Sequence, residues 1–346
     1  MNTIDVEIDI AIVGATGVVG EALIEALDNS LMDLGFEVGE LHLLASARSD
    51  GETRMYRQRP LLVESLDDFD FARVQLAFFA APAAVAAEYA PLAVEQGCRV
   101  IDFSARFRAD PQVPLVVAGV NDEALASGDC PLVALPGALT TDLSLIVRPI
   151  HQVMEICRIH VASYQSVSTA GQAGAKELAR QTSCLLNGLP VEPALFPEQI
   201  AFNIVPQVGG IDREGHSETE LDLVAELRKL MESEEIPLSA TCVQVPTFYG
   251  SCQAISLEMR YPTELEEFVG ILKGVDGLEL AESSGDYATS LAMIEKDSGF
   301  RCSVGRIRPS LSIENGIDLW AVSDAVKNST IFNALKVASG LIKYSY

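Results

Sequence analysis

A glycine-rich turn near the start of the chain constrains the fold more than any other feature. It runs from Gly14 to Gly20, follows the apolar segment 8–13 and opens the helical pattern 19–27. Glycines at this spacing permit a tight turn and let main-chain N–H groups approach a pyrophosphate at the helix N-terminus. The context therefore predicts a dinucleotide site, and the alternative is a turn that only packs the strand against the helix. The residues predicted to contact the dinucleotide are Gly14, Ala15, Thr16, Gly17, Val18 and Val19.

Strand and helix patterns continue to alternate through the first third of the chain. Further strand candidates are 41–45, 75–79 and 99–103, and an alanine-rich helical segment follows the second of them. Strands separated by helices and short connections are typical of a doubly wound parallel sheet.

The rest of the chain has a different pattern, in which several strands follow one another without helices between them. This order predicts a second, α+β domain built on a mostly antiparallel sheet. Its strand candidates are 158–164, 240–245, 254–259, 303–308 and 317–322, its helix candidates are 176–186 and 220–231, and a last helix is predicted over 331–342.

Composition limits the partners and the compartment. The chain has 346 residues, 49% of them hydrophobic, which is enough for two domain cores, and its net charge of −25 disfavours nucleic acid and anionic membranes. Seven scattered cysteines without a CxxC pair predict reduced thiols in the cytoplasm, and four histidines without ligand spacing predict no metal site. Residues 1–5 lack the basic start of an export signal, and no apolar run is long enough to span a bilayer.

The segment that follows strand candidate 41–45 indicates which nicotinamide cofactor is bound. An acidic residue there would bind the ribose hydroxyls of NAD, whereas this chain has Ser46, Arg48 and Ser49. One cation and two hydroxyls suit a 2′-phosphate, so NADP is favoured and NAD stays open. Asp50 and Glu52 count against a phosphate here, and the alternative for Arg48 is a solvated loop charge.

Several motifs follow one another along the chain, namely the glycine loop, 46–49, 107–108, 136–137, 164–168, 202–207 and 304–308. Together and in this order, they resemble the aspartate-semialdehyde dehydrogenase family. The resemblance implies a Rossmann domain over 1–134, a domain over 135–328 that dimerises and carries the chemistry, and a C-terminal helix, 329–346, that packs back on the Rossmann domain. Members of the family reduce aspartyl phosphate with NADPH through a cysteine thioester.

The residues that carry the family reaction are replaced in this chain. The nucleophile position is Ala138, whose methyl group cannot attack a carbonyl. The family arginine that holds substrate carboxylate is Gln244, and the histidine base seven residues later is Ser251. The phosphate-binding lysine two residues after Glu220 is Asp222, which would repel an anion.

Other site residues match the family. The resemblance assigns a substrate anion to Arg108, a place beside the nucleophile to Gln165, the substrate amino group to Glu220 and a cofactor contact to Ser168. Each has an alternative: Arg108 could pair with Asp102 or Asp110, and Ser217 with Glu220 has the spacing of a helix capping box. Family glycine or asparagine contacts to the cofactor are replaced by the 80–82 turn, Thr169 and Ala325, so reduced NADP affinity is expected.

No replacement nucleophile is expected. Cys252 adjoins the old base position, but neighbours in a strand point to opposite faces. Thr140, Thr141 and Ser144 have no histidine placed to activate them.

The pattern is similar to the Usg-type group of the family, which lacks the catalytic residues. Three hypotheses follow: a homodimeric pseudoenzyme that binds NAD(P), an NAD(P)-dependent oxidoreductase that acts on an aldehyde or oxo group with other residues, and a structural or regulatory partner that no longer binds nucleotide. No substrate is identified by the sequence.

Overall fold

The computed structural model describes residues 6–29, 32–126, 130–233, 235–281, 288–295 and 301–344, so the expectation about an export signal at 1–5 lies outside the described residues. The chain folds into two compact units, Met1–Gly137 with Thr330–Tyr346, and Ala138–Ser329. The bounds expected from the sequence were 1–134 with 329–346, and 135–328. None of the helices in the described part of the chain combines the length and apolar character needed to cross a bilayer.

The first unit contains one seven-stranded sheet in the order β3-β4-β2-β1-β5-β6-β7. All its pairs are parallel except the β3–β4 hairpin. Its elements are β1 Glu7–Val13, α1 Val18–Asp28, β2 Glu37–Ala45, β3 Thr53–Tyr56, β4 Arg59–Ser65, β5 Leu76–Phe79, α2 Ala83–Glu95, β6 Arg99–Asp102 and β7 Leu132–Ala134.

The central strands of this sheet have no solvent-facing side. Every residue of β5 is buried, as are Ile10, Ala11, Ile12 and Val13 of β1. Strands buried on both faces are expected where helices such as α1 and α2 cross between parallel neighbours. The strand order reverses between β1 and β5, and the prediction of a doubly wound sheet is confirmed.

The second unit contains a six-stranded sheet in the order β11-β12-β13-β10-β8-β9. Its central pairs are antiparallel, and the outer pairs β11–β12 and β8–β9 are parallel, so the prediction of a mostly antiparallel sheet is confirmed. Its elements are α3 Ala138–Met154, β8 Ile156–Gln165, α4 Gly171–Leu186, α5 Glu218–Met231, β9 Leu238–Gln244, β10 Ser251–Met259, α6 Leu265–Lys273, β11 Leu278–Leu280, α7 Ser290–Glu295, β12 Cys302–Pro309 and β13 Gly316–Ser323.

The two faces of this sheet differ in burial. Along β10, the residues from Ser251 to Met259 alternate between buried and half-buried. Helices α3, α5 and α6 pack on the buried side, which we call the covered face. The other side, the open face, carries Tyr164, Ala254 and Trp320 and is half-exposed. This alternation is that of a sheet whose helices pack mainly on one side, although Trp320 Nε1 on the open face donates to the Ala288 carbonyl at 3.0 Å.

A last helix, α8 Phe332–Lys343, belongs to the first unit. Buried Asn333 fixes it there, because its side chain accepts from the Ala118 N–H at 2.9 Å and donates to the Val116 carbonyl at 3.2 Å. A π-helix, Ala325–Ile331, precedes it.

Candidate functional site

The turn after β1 is held by main-chain contacts that only glycine allows. Gly14 has φ +87°, and a Cβ there would lie 2.2 Å from the carbonyl oxygen of Ala80, which follows β5. The N–H groups of Gly14 and Ala15 both donate to the Leu44 carbonyl, at 2.8 and 3.1 Å. The turn is therefore anchored to the strands on both sides of β1, at the point where the strand order reverses.

The remaining glycines of the turn have different roles. A Cβ on Gly20 would lie 2.3 Å from the Gly14 carbonyl oxygen, so this glycine is required by packing of α1 on the turn, as the alternative interpretation holds. Gly17 is exposed and occupies the N-cap of α1 without a side-chain hydrogen bond. The first turn of α1 is thus left without a side-chain acceptor at its positive end, which fits the phosphate groups of a dinucleotide.

The predicted cofactor-selecting residues directly follow β2. Arg48 is exposed and makes no ion pair with any described residue. Glu52, expected to repel a phosphate, instead binds Arg54 at 3.1 Å, and Arg54 also contacts Glu21 at 3.2 Å. Of the two acidic residues that counted against a phosphate, only Asp50 has no cation partner among the described residues.

Arg108 lies in the turn region after β6. Its Nη2 donates to the Phe103 carbonyl at 2.8 Å. Buried Asp102 accepts the Ser104 hydroxyl at 2.8 Å, and burial raises its pKa to about 6, against the lowering effects of Ser104 and Arg108. Arg108 therefore acts on Asp102 through its charge while it supports the turn.

The second unit places two of the four replaced positions, Gln244 and Ser251, in one row across the sheet. Strand register places Gln244 beside Gln165, Gln165 beside Ser251, and Ser251 beside Ser323. Cys302 completes the row next to Ser323. All five side chains are buried on the covered face, and the positions of the family's arginine and histidine flank Gln165.

The Gln244 side chain donates hydrogen bonds to main-chain carbonyls instead of binding an anion. Its Nε2 donates to the carbonyls of Gln165 at 2.8 Å and Ser166 at 2.6 Å, and lies 3.4 Å from the Thr169 hydroxyl. Thr169 also donates to the Ser166 carbonyl at 2.9 Å, and Ser168 shares a 2.8 Å hydrogen bond with the Ser166 hydroxyl. Hydrogen bonds among neutral groups therefore stabilise the turn after β8.

Asp142, which the sequence analysis did not single out, lies one helical turn after Ala138 on α3. Its carboxylate accepts a hydrogen bond from the Ser323 hydroxyl, and it is 1% exposed. The nearby Ser329 hydroxyl donates to the Asp324 carbonyl at 3.3 Å. Burial raises the pKa of Asp142 to about 7, although the two serines and nearby Arg301 lower it and Asp324 raises it further. An aspartate within the apolar pattern of α3 was the available signal, but that helix was not predicted.

Ser251, at the family base position, makes no side-chain hydrogen bond to a histidine or any other described residue. Its hydroxyl, Gln253 Oε1 and Asp142 Oδ1 are buried and make no hydrogen bond to a described residue. In the second unit, His160 lies on the open face and is bound to Ser239, while His151 accepts the Ile156 N–H. Neither imidazole is near the row that holds Ser251.

The Glu220 carboxylate forms hydrogen bonds that stabilise the start of α5 and its contact with β9. Its side chain and that of Ser217 form the capping box of α5, with distances of 2.8 and 3.3 Å. Its other oxygen accepts the Cys242 N–H of β9 at 2.9 Å. Asp222, two residues later, is exposed on α5. The capping interpretation of Glu220 is therefore confirmed.

The described side chains near Ala138 offer no activated nucleophile. Ala138 is the first residue of α3, Thr140 and Thr141 are buried, and the Ser144 hydroxyl donates to the Thr141 carbonyl at 2.8 Å. Cys252 points to the open face, as its strand position predicts, and burial raises its pKa to about 11. Burial likewise raises the thiol pKa of Cys242 to about 11, which disfavours a thiolate.

Comparison with known proteins matches both units. Residues 9–128 match the NAD-binding domain of semialdehyde dehydrogenases, and residues 147–327 match their dimerisation domain. The aspartate-semialdehyde dehydrogenase of Shewanella violacea is 38% identical, over 98% of this chain and 99% of the relative. A USG-1 protein homolog of Pseudomonas aeruginosa is 39% identical, over 97% of this chain and 98% of the relative.

A solved structure agrees with these sequence matches. The crystal structure of aspartate semialdehyde dehydrogenase II from Vibrio cholerae superposes with a TM-score of 0.92 at 38% identity, covering 97% of this chain and 99% of that chain. This chain therefore belongs to the aspartate-semialdehyde dehydrogenase family and carries its nicotinamide-dinucleotide-binding and dimerisation domains.

Proposed function

We propose that this protein is a homodimeric, NADP-binding member of the family that does not catalyse the reduction of aspartyl phosphate to aspartate semialdehyde. The observation that carries the proposal is Ala138. A thioester mechanism needs a thiolate at that position, and the neighbouring hydroxyls and the Cys252 and Cys242 thiols are buried, hydrogen-bonded elsewhere or on the wrong face.

The environment of Gln244 gives independent support. An arginine held for substrate must present N–H groups to the pocket, whereas Gln244 Nε2 already binds two main-chain carbonyls. Restoring a charged group there would break these contacts as well as add a cation. The turn after β8 is therefore stabilised by a neutral side chain at the position where a family member would bind substrate carboxylate with an arginine.

Cofactor binding is proposed to survive in weakened form. The main-chain cradle of Gly14 and the uncapped start of α1 suit a pyrophosphate, and Arg48 with Ser46 and Ser49 suits a 2′-phosphate. The neutralisation of Glu52 by Arg54 removes part of the repulsion expected there. Thr169 and Ala325 replace family contacts, so we expect weaker binding than in an active relative.

Activity is tested by following NADPH absorbance during the phosphate-dependent oxidation of aspartate semialdehyde. We expect no turnover above background in the unmodified protein or in Ala138→Cys, because groups that act as a unit are not recovered singly. Ala138→Cys, Gln244→Arg, Ser251→His and Asp222→Lys together should give the first detectable rate. Robust turnover by the repurified native protein after thiol alkylation would refute the pseudoenzyme and favour chemistry carried by other residues.

Cofactor binding is tested by calorimetry with NADP and NAD. We expect NADP to bind more tightly than NAD, and Arg48→Ala to weaken NADP selectively. An equal loss for both would mean that Arg48 does not contact the 2′-phosphate. No heat and no thermal shift with either nucleotide would favour a partner protein that has lost nucleotide binding.

A further inference from the structure

The sheet of the first unit forks at the amino-terminal end of β2. Strand β4 pairs with β2 only where Leu43–Ala45 run beside Val63–Ser65. Before that point the two strands diverge and leave a cavity of about 600 Å³, which we call the fork cavity. Its lining includes Leu41, His42, Tyr56, Arg57, Arg59 and Leu61.

A strained turn carries the first of the two arginines in this lining and directly precedes the second. Arg57 and Gln58 form the two-residue connection between β3 and β4, with φ +48° and +61°. Such turns are normally built from Asn-Gly or similar pairs, because other residues are strained in this region. The N–H of Arg57 is held by Asp28 Oδ1 at 2.6 Å. A bulky cation at a strained backbone position is therefore a candidate for a functional role.

The two guanidinium groups differ in their surroundings. Arg57 lies 5.1 Å from the centre of the Tyr56 ring and donates one Nη1 hydrogen bond to the Val38 carbonyl at 3.2 Å. Arg59 is exposed, and its side chain makes no hydrogen bond or ion pair with any described residue. Glu40 also lines the cavity, but it lies 3.6 Å from His42 and pairs with neither arginine.

We propose that the fork cavity binds a small molecule carrying a carboxylate or phosphate group. Arg59, with the free N–H groups of Arg57, would form charge-assisted hydrogen bonds to the anion. Leu41, Leu61 and the Tyr56 ring would contact the rest of the ligand. The cavity volume is in the range of sites that hold metabolites.

This site is separate from the cofactor cradle. The cofactor-binding residues follow the carboxyl ends of β1 and β2, whereas the fork cavity reaches only His42, three residues before the end of β2. At about 3.3 Å per residue, the strand separates them by roughly 10 Å. The inference therefore stands whether or not the protein binds NADP.

The test is calorimetric titration of the full-length protein with inorganic phosphate and, separately, with citrate. We expect one or both anions to bind, and Arg59→Gln to raise the Kd at least tenfold. The Arg59 side chain makes no hydrogen bond or ion pair with a described residue, so this change should leave folding intact. Arg57→Gln should weaken binding to a similar extent, and the anion bound more tightly identifies the preferred group.

Two control substitutions show whether the binding is specific to the arginines of the fork cavity. Arg260→Gln alters an exposed arginine of the second unit, and Arg48→Gln alters the predicted 2′-phosphate contact. Both should change the Kd less than twofold. The proposal is overturned if neither anion binds at ten-millimolar concentration, if Arg59→Gln behaves like Arg260→Gln, or if Arg48→Gln abolishes the binding.

Discussion

Gln244 has a structural role at the position where the family resemblance implies a substrate-binding arginine. Its side chain is 3% exposed and satisfies two buried carbonyls that lie between β8 and the turn after it. The sequence predicted the loss of a cation at this position but not the new hydrogen bonds. Those depend on pairing between β8 and β9, residues 79 apart, which no local pattern reveals.

We expect Gln244→Leu to destabilise the second unit by about 1–2 kcal/mol, because it removes two hydrogen bonds to buried carbonyls, which keep only the donors of Val245 and Thr169. Urea unfolding followed by fluorescence of the single tryptophan, Trp320 of β13, reports on this unit. Gln172→Leu changes an exposed glutamine of α4 and is the matched control, with an expected effect within about 0.5 kcal/mol. Equal effects of the two substitutions would contradict a structural role for Gln244.

Asp142 makes the stability of the second unit depend on pH. Its pKa is raised from 3.8 to about 7 in the folded state, so the folded protein binds more protons than the unfolded chain between these values. Stability contributed by this group is present at acid pH and is lost as the pH rises towards 7. The charged groups nearest to it, Arg301 and Asp324, act in opposite directions.

Asp142→Asn should remove this dependence, since an amide still accepts from Ser323 but does not ionise. We expect the variant to gain on the order of 3 kcal/mol relative to the native protein between pH 4 and pH 8. The gain is measured by urea unfolding at several pH values with Trp320 fluorescence. A difference that is independent of pH would mean that Asp142 is already ionised in the folded protein at acid pH.

Among the elements, those with strong local patterns were predicted and those without were missed. The prediction of a strand, turn and helix at 8–27 matches β1 and α1, because apolar period and glycine spacing agree. Helix α3 was missed although it is buried along most of its length, since Pro149 and a nearly continuous apolar run obscure its period. The β3–β4 hairpin was missed because Arg57-Gln58 lacks the usual turn residues.

The contact between α1 and the turn before it can be tested by adding one methyl group. Gly20→Ala would place a Cβ 2.3 Å from the Gly14 carbonyl oxygen and 2.8 Å from Ala15 Cα, so α1 must move away. We expect the first unit to lose more than about 2 kcal/mol and NADP affinity to fall at least tenfold. Thermal unfolding and calorimetry measure the two effects.

A second glycine provides the control for this substitution. Gly270 lies within α6, and a Cβ there meets no atom within 4 Å. Gly270→Ala should therefore stabilise the protein by about 0.5–1 kcal/mol through helix propensity. If Gly20→Ala were also neutral or stabilising, the turn and α1 would not be in the contact described here.

The open face of the second sheet combines an apolar centre with charged side chains at its edge. Its centre is apolar, with Tyr164 and Trp320 packed 5.6 Å apart beside Ala254. Charged pairs such as Arg158–Glu258 lie at its edge. An apolar centre with a polar rim is the usual anatomy of a protein interface.

Strand alternation also decides which residues can reach a partner. The sequence predicts Val243, Val245, Ile255 and Leu257 as members of the buried sheet whose strands form the dimer. Val243 lies in β9 and Ile255 and Leu257 lie in β10, whereas Val245 directly follows β9. Ile255 and Leu257 are buried on the covered face, whereas Val243 is half-buried. Apolar character identified the strands, but strand pairing was needed to assign the faces.

We expect a homodimer that forms through the open face, in keeping with the dimerisation domain. Ala254 lies in register with Trp320 and Ala162 at the centre of this face, so Ala254→Glu would bury a charge in the contact. Light scattering at micromolar concentration should give twice the 37.1 kDa chain mass for the native protein and the single chain mass for the variant. Leu62→Glu, on an exposed position of the first unit, should leave the dimer intact. A native protein of monomer mass, or an Ala254→Glu variant that stays dimeric, would exclude this face as the interface.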